Sequence, residues 1–290
     1  MVFTGLRRIA FAALGALTLV GAQLALAAPA KAVPGLQNVT TASVVNSNIF
    51  KSQTAMCPAG KRVVGGGARL SILTNEVAIT QFAPLPTGDG IEARAYEDWD
   101  GFVGNWGLVA HAICADPLPG YEIQTATSPS ASPPSASVVA SCTPGRRLLG
   151  TGGSVFPGRG VVVLTGAIPQ GGLSPTGARA FGEKTEVGYL GDWTVSVWAI
   201  CADPVPGHTT VTATTVFDST SPKTQTVTCP AGTQVHGLGV QIGGGQGEVF
   251  LNAAVSTPNP VSTQVPTRAV EDQTGFLPSW AMRTHAICAN

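Results

Sequence analysis

One pattern is written three times along this chain, and a fixed internal repeat constrains a fold more tightly than any single motif. Cys57-Pro58-Ala59-Gly60, Cys142-Thr143-Pro144-Gly145 and Cys229-Pro230-Ala231-Gly232 open three units. His111-Ala112-Ile113-Cys114, Trp198-Ala199-Ile200-Cys201 and His285-Ala286-Ile287-Cys288 close them. Pro34-Gly35, Pro119-Gly120 and Pro206-Gly207 mark equivalent starts, so the units are 34–118, 119–205 and 206–290, with a period of about 86 residues. Glycine pairs recur at Gly65 and Gly67, Gly150 and Gly152, and Gly237 and Gly239, and a tryptophan precedes each closing cysteine at Trp106, Trp193 and Trp280. Residues shared by all three copies belong to the scaffold; function is expected where copies differ or meet.

Local patterning points to strand throughout. Trp106, Leu108, Ala110, Ala112 and Cys114 alternate with polar or smaller neighbours, and the stretches ending at Cys201 and Cys288 keep the same parity. Strict alternation bounded by Gly and Pro marks a half-buried strand, which puts the three tryptophans and closing cysteines in the core. The second unit reads as strands at 122–127, 137–142, 146–155, 161–168 and 178–181, and no segment after residue 28 carries a helical period. The glycine pairs lack the Lys-Ser/Thr and the helix of a phosphate loop, so they predict bulges or close backbone approach. The stretch 125–141, rich in Thr, Ser, Ala and Pro, reads as a loop at the border of units 1 and 2, and Asn38-Val39-Thr40 is a glycosylation sequon.

The predicted class is all-β: three tandem antiparallel β-sandwich repeats with one disulfide each. Six cysteines in an exported chain read as three disulfides. Two pairings respect the repeat. Cys57–Cys114, Cys142–Cys201 and Cys229–Cys288 would staple three self-contained modules; this is the preferred reading, because each copy has a complete strand set. Pairing across the borders (114–142, 201–229 and 57–288) would instead close one pseudo-threefold body.

Export is expected from residues 1–27, where Arg7 and Arg8 precede an apolar stretch and Ala25-Leu26-Ala27 forms a small-residue cleavage site. No transmembrane segment remains after such a cut. Without those arginines the chain holds 14 basic and 16 acidic residues, a formal charge of −2. With no basic stripe to neutralise phosphates, nucleic acid is excluded as a partner.

The chain offers little chemistry for catalysis or cofactors. Sequential cysteines are never closer than 28 residues and no C-x-x-C occurs, which argues against a metal centre. His111 and His285 share their repeat position with Trp198, which excludes a three-histidine site and suggests flat side chains on an outer strand face. His208 and His236 have no suggestive neighbours. Gly152-Gly153-Ser154 fails the serine-hydrolase pattern at Phe156. Glu97, Asp98 and Asp100 crowd around Trp99; such carboxylates could serve a glycan hydrolase or bind calcium, or simply form a solvated loop. Arg94, Arg179 and Arg268 read as surface arginines laid over apolar neighbours and paired with carboxylates.

The run C-P-A-G-x-x-V-x-G-G-G at 57–67, followed by the tryptophan, A-I-C-A-D-P stretch at 106–117, resembles a repeat of secreted proteins from high-GC Gram-positive bacteria with no assigned function. The likeness covers all three units, with departures at Thr143, Thr151 and Leu238, and implies export but no activity. A fainter similarity, without residue-by-residue motif matches, is to the vitelline-membrane outer-layer β-prism proteins; it bears on the closed threefold alternative. The expectation is a secreted, non-catalytic binding or envelope protein without cofactor or metal, with polysaccharide or a cell-wall component as partner. Tyr96, Trp99, Phe102, Trp198 and Phe276 are the candidate stacking surfaces. A purely structural or protein-binding surface protein is the alternative.

Overall fold

Eighteen strands, six per unit, make up the computed structural model, which describes residues 1–2, 33–257 and 261–290; no helix occurs among them. The expected signal segment lies, beyond its first two residues, outside the described residues. Unit 1 carries β1 (Gln37–Ala42), β2 (Phe50–Met56), β3 (Arg62–Leu70), β4 (Val77–Pro84), β5 (Gly90–Glu97) and β6 (Leu108–Ala115). Unit 2 carries β7 (Glu122–Thr127), β8 (Ser135–Ser141), β9 (Arg147–Phe156), β10 (Val162–Gln170), β11 (Gly177–Lys184) and β12 (Thr194–Ala202). Unit 3 carries β13 (Thr209–Thr214), β14 (Lys223–Thr228), β15 (Gln234–Gly243), β16 (Val249–Ala254), β17 (Gln264–Glu271) and β18 (Ala281–Ala289). The tract expected as a border loop at 125–141 is instead mostly strand, and its loop, 128–134, lies inside unit 2. Its alternating Ala and Val pair with β11, which outweighs the Ser and Pro content.

The all-β, three-repeat architecture with one disulfide per repeat holds, and so does pairing within units: Cys57–Cys114, Cys142–Cys201 and Cys229–Cys288. Each closes a loop of 57 or 59 residues, worth about 4 kcal/mol in the chain-entropy model. The expectation of self-contained sandwiches does not hold. The three antiparallel sheets run β1-β6-β3-β16-β17-β14, β13-β18-β15-β10-β11-β8 and β2-β5-β4-β9-β12-β7. Every unit therefore gives its first, third and sixth strands to one sheet and its second, fourth and fifth to another. Each sheet is completed by the neighbouring unit, so the closed pseudo-threefold body is the observed one, and residues 31–290 form a single compact unit. A half-sheet ending at its third or fourth strand would expose an unpaired edge, and the neighbour covers it.

The joints are short: Ala253 and Ala254 face Arg69 and Ala68, Gly166 and Ala167 face Gln241 and Val240, and Gln81 and Phe82 face Ser154 and Gly153. What closes the ring is the glycine pattern. A Cβ on Gly65 would lie 2.7 Å from the Gly237 Cα, one on Gly237 2.7 Å from Gly150, and one on Gly150 2.7 Å from Gly65. Each of these glycines follows a bulge residue, Val64, Leu149 or His236. Both expected uses of the glycines are thus realised together. Farther along, Ala78, Val163 and Phe250, equivalent residues of β4, β10 and β16, pack on one another.

The expected strand parity also holds: Trp106, Trp193 and Trp280 and the closing cysteines are buried. Burial reaches the histidines as well. His236 replaces the bulge residues Val64 and Leu149; its Nδ1 faces the Gln234 carbonyl at 2.9 Å. Burial, with smaller contributions from nearby cations, holds His111, His236 and His285 down to about 4. A histidine depressed in the folded state contributes stability that is complete above about 6.5 and lost as pH falls toward 4. The melting temperature is therefore expected to drop across that window. In the variant His236→Leu, which installs the residue of unit 2, the acid loss measured by thermal melts should be smaller; an unchanged acid limb would contradict the assignment.

Candidate binding site at the open end

The registers give the body two unlike ends. The disulfides, the Cys-Pro-Ala-Gly turns and the loops joining fourth to fifth strands lie at one end. The loops joining first to second, third to fourth and fifth to sixth strands lie at the other, which is called here the open end. Of the seventeen large apolar side chains exposed among the described residues from 33 to 290, thirteen belong to the open end, so apolar exposure is a property of that surface rather than of the whole. Val103, Leu190 and Leu277, at one repeat position, are among the most exposed.

The physical cause is local. After the fifth strand, Glu97 accepts from the Trp106 Nε1 at 2.7 Å and from the Phe102 N–H at 3.1 Å. Glu271 does the same with Trp280 at 2.8 Å and Phe276 at 3.2 Å. These bonds fold Phe102 and Phe276 inward, and the following aliphatic residue turns out. Lys51 and Lys223 lie over the Trp106 and Trp280 rings, 4.6 and 4.7 Å from the centroids. Unit 2 lacks both partners: it has Ala136 and Lys184, and Trp193 donates to the Pro133 carbonyl instead at 3.0 Å. Both Glu97 oxygens are therefore engaged in holding this loop to the core tryptophan.

Three equivalent niches lie at the borders of the open end, and their chemistry differs. The residue before the fourth strand is Glu76, Val161 or Glu248; it accepts, through its carbonyl, the N–H of Asp98, Thr185 or Asp272. The next residue, Trp99, Glu186 or Gln273, belongs to the loop that meets the following unit. Glu186 donates its N–H to the Glu248 carboxylate, and Gln273 donates to Asp100 at 2.7 Å. Trp99 lines a cleft of about 600 Å³ with Ile49, Tyr96, Asp98 and Asp100 of unit 1 and Arg159 and Val161 of unit 2. Trp99 is 58% exposed. The Tyr96 ring packs on Phe50 with centroids 4.5 Å apart. A smaller hollow on the outer sheet face shares Tyr96 and Arg159 and adds Arg94 and Phe156. Both Asp98 carboxylate oxygens are buried without a hydrogen-bond donor. Burial first, then the adjoining Asp100 and Glu76, push Asp98 up to about 7.

Of the five candidate aromatics, the structure brings Tyr96 and Trp99 together. Phe276 belongs to the core and Phe102 packs against it, its ring lying under Gly104, so neither offers a free stacking face. Trp198 stands half-buried on the outer face of its sheet, as expected from its repeat position, but apart from the cleft residues. His111 shares that position yet is buried, and Ser256, just after the fourth strand of unit 3, meets its Nε2 at 3.1 Å. The carboxylate pairing expected of the arginines holds for Arg94 with Glu92 at 2.9 Å; Arg179 lies over Phe181 and bonds Ser137, and Arg268 bonds Asn252. The Asn38 amide, the sequon's attachment atom, donates to the Thr257 carbonyl at 3.2 Å. Sequence reading missed Arg159, Val161, Glu186 and Glu248. Glutamate before the fourth strand in units 1 and 3, against Val161 in unit 2, was the available signal.

The described residues include no helix long and apolar enough to cross a membrane. No protein-family model matches this chain, and no curated protein matches it either.

Proposed function

We propose that this is a secreted, non-catalytic binding protein that holds a polysaccharide of the cell exterior in the Trp99 cleft. The observation that carries the reading is the exposed Trp99 ring standing at a border cleft beside Tyr96, with carboxylates and a guanidinium around it. A sugar ring has an apolar C–H face and hydroxyl edges. An aromatic plane suits the first, and Asp100 and Arg159 offer acceptors and donors to the second. Export is supported by the signal-like segment at 1–27 and by three disulfides, which persist in oxidising surroundings. Engagement of Glu97 with Trp106 supports binding over hydrolysis.

The test is co-sedimentation of the oxidised, secreted chain with insoluble polysaccharides and isolated cell walls. Loss of a central aromatic anchor typically costs ~2 kcal/mol, so Trp99→Ala should weaken retention about 30-fold while Trp198→Ala leaves it unchanged. Retention of nothing by the native chain, or equal retention of the Trp99 variant, would retire the cleft. A second reading, attachment to a protein or envelope surface, draws on Val103, Leu190 and Leu277, since three equivalent weak contacts combine into avidity.

A further inference from the structure

Units 1 and 3 carry a carboxylate pair, Glu76 with Asp98 and Glu248 with Asp272, where unit 2 has Val161 and Thr185. The scaffold therefore does not require acid there. Only unit 3 receives a third carboxylate from its neighbour, because Glu186 occupies the place held by Trp99 and Gln273 in the other copies. One oxygen each from Glu186, Glu248 and Asp272 lies within 4.8 Å of the other two. We propose that these three residues form a calcium site that ties unit 2 to unit 3 at the open end.

The geometry suits that ion. Calcium takes oxygen ligands at about 2.3–2.6 Å, so two ligands on opposite sides of it stand about 4.6–5.2 Å apart, and all three carboxylates fit one coordination shell. Magnesium, with bonds of about 2.0–2.1 Å and strict octahedral demands, would require the cluster to contract. The donor set holds no nitrogen or sulfur, which disfavours zinc and copper.

A separate observation points to a ligand. Glu248 is only 7% exposed, and its Oε2 is buried with no hydrogen-bond donor, while Oε1 accepts the Glu186 N–H. An acceptor oxygen in that state is costly unless a proton or a cation reaches it. Asp272 uses Oδ1 to accept from the Thr274 N–H, the Thr274 hydroxyl and the Gly275 N–H, at 3.1, 2.9 and 3.1 Å, and its other oxygen remains for the cluster. Glu186 is exposed, so water can complete the shell and the ion has a route in.

The experiment is calorimetric titration of the chelator-treated full chain with calcium chloride at pH 7.5, with parallel thermal melts. One saturable site, a raised melting temperature and a smaller response to equal magnesium are expected. Glu186→Gln, an exposed substitution that leaves the fold intact, should weaken calcium binding at least tenfold. Glu248→Gln should abolish it while raising the melting temperature without calcium. Absence of saturable heat and of any melting shift in the native chain would overturn the site, as would an unaltered response in both variants. The outcome is independent of polysaccharide retention, which Trp99 governs.

Discussion

Unit 2 cut out as residues 119–205 is expected to give no folded monomer. Its first, third and sixth strands belong to one sheet and its second, fourth and fifth to another, and each half-sheet ends on a strand that neighbouring units cover. The excised piece would expose the edges of β9 and β10 and the apolar side chains behind them, and its Cys142–Cys201 bond would tie together two half-sheets with nothing to pack on. A chain of that size buries a smaller fraction of its surface than a large domain does, and losing both partners lowers that fraction further. Far-UV circular dichroism, amide dispersion by NMR and sedimentation would report it: a disordered chain, or structure only in an oligomer that restores the missing halves. A cooperatively melting monomer would refute the shared-sheet account.

Gly150→Ala should be among the most damaging single-methyl changes in the protein. The new Cβ would press on the Val64 carbonyl oxygen and lie 2.7 Å from the Gly65 Cα, and both obstacles are backbone. Backbone in the middle of a ladder cannot rotate aside as a side chain can, so one unit must move from the next. Overpacking of this kind costs about 3 kcal/mol or more, roughly a 10 °C fall in melting temperature for a body of this size. Gly145→Ala is the control. Its φ of +93° strains any side chain, but nothing lies within 4 Å of the added methyl, so the loss should be about 1 kcal/mol. Differential scanning calorimetry of the two variants separates the causes. Equal melting temperatures would mean that the three glycines are not the closure.

Much of this architecture was legible before any coordinates. Alternation around Trp106, Trp193 and Trp280 gave the buried face correctly, since a period of two reports which side of a sheet a residue occupies. It does not report which strand lies next door, and so the division of each unit between two sheets was hidden. The glycines were read as bulges or close approaches and proved to be both. Phe276 was misplaced for an instructive reason. Phe102, Tyr189 and Phe276 share one repeat position, and the argument that reserved the three tryptophans for the core applied equally to them. The carboxylates of Glu186 and Glu248 are 62 positions apart in sequence, and only the meeting of two border loops makes them neighbours.

The Val33 N–H donates to the Asn290 carbonyl at 2.7 Å. At the other two borders the chain itself crosses between units, through 116–121 and 203–208; at this one a hydrogen bond takes the place of a covalent crossing. Spatial order is consequently circular while genetic order is linear, and no unit is intrinsically the first. Rearrangement of the gene by moving whole units from one end to the other would preserve every neighbour relation in the body. Each niche belongs to one pair of neighbouring units, so a change at one border leaves the other two as they are.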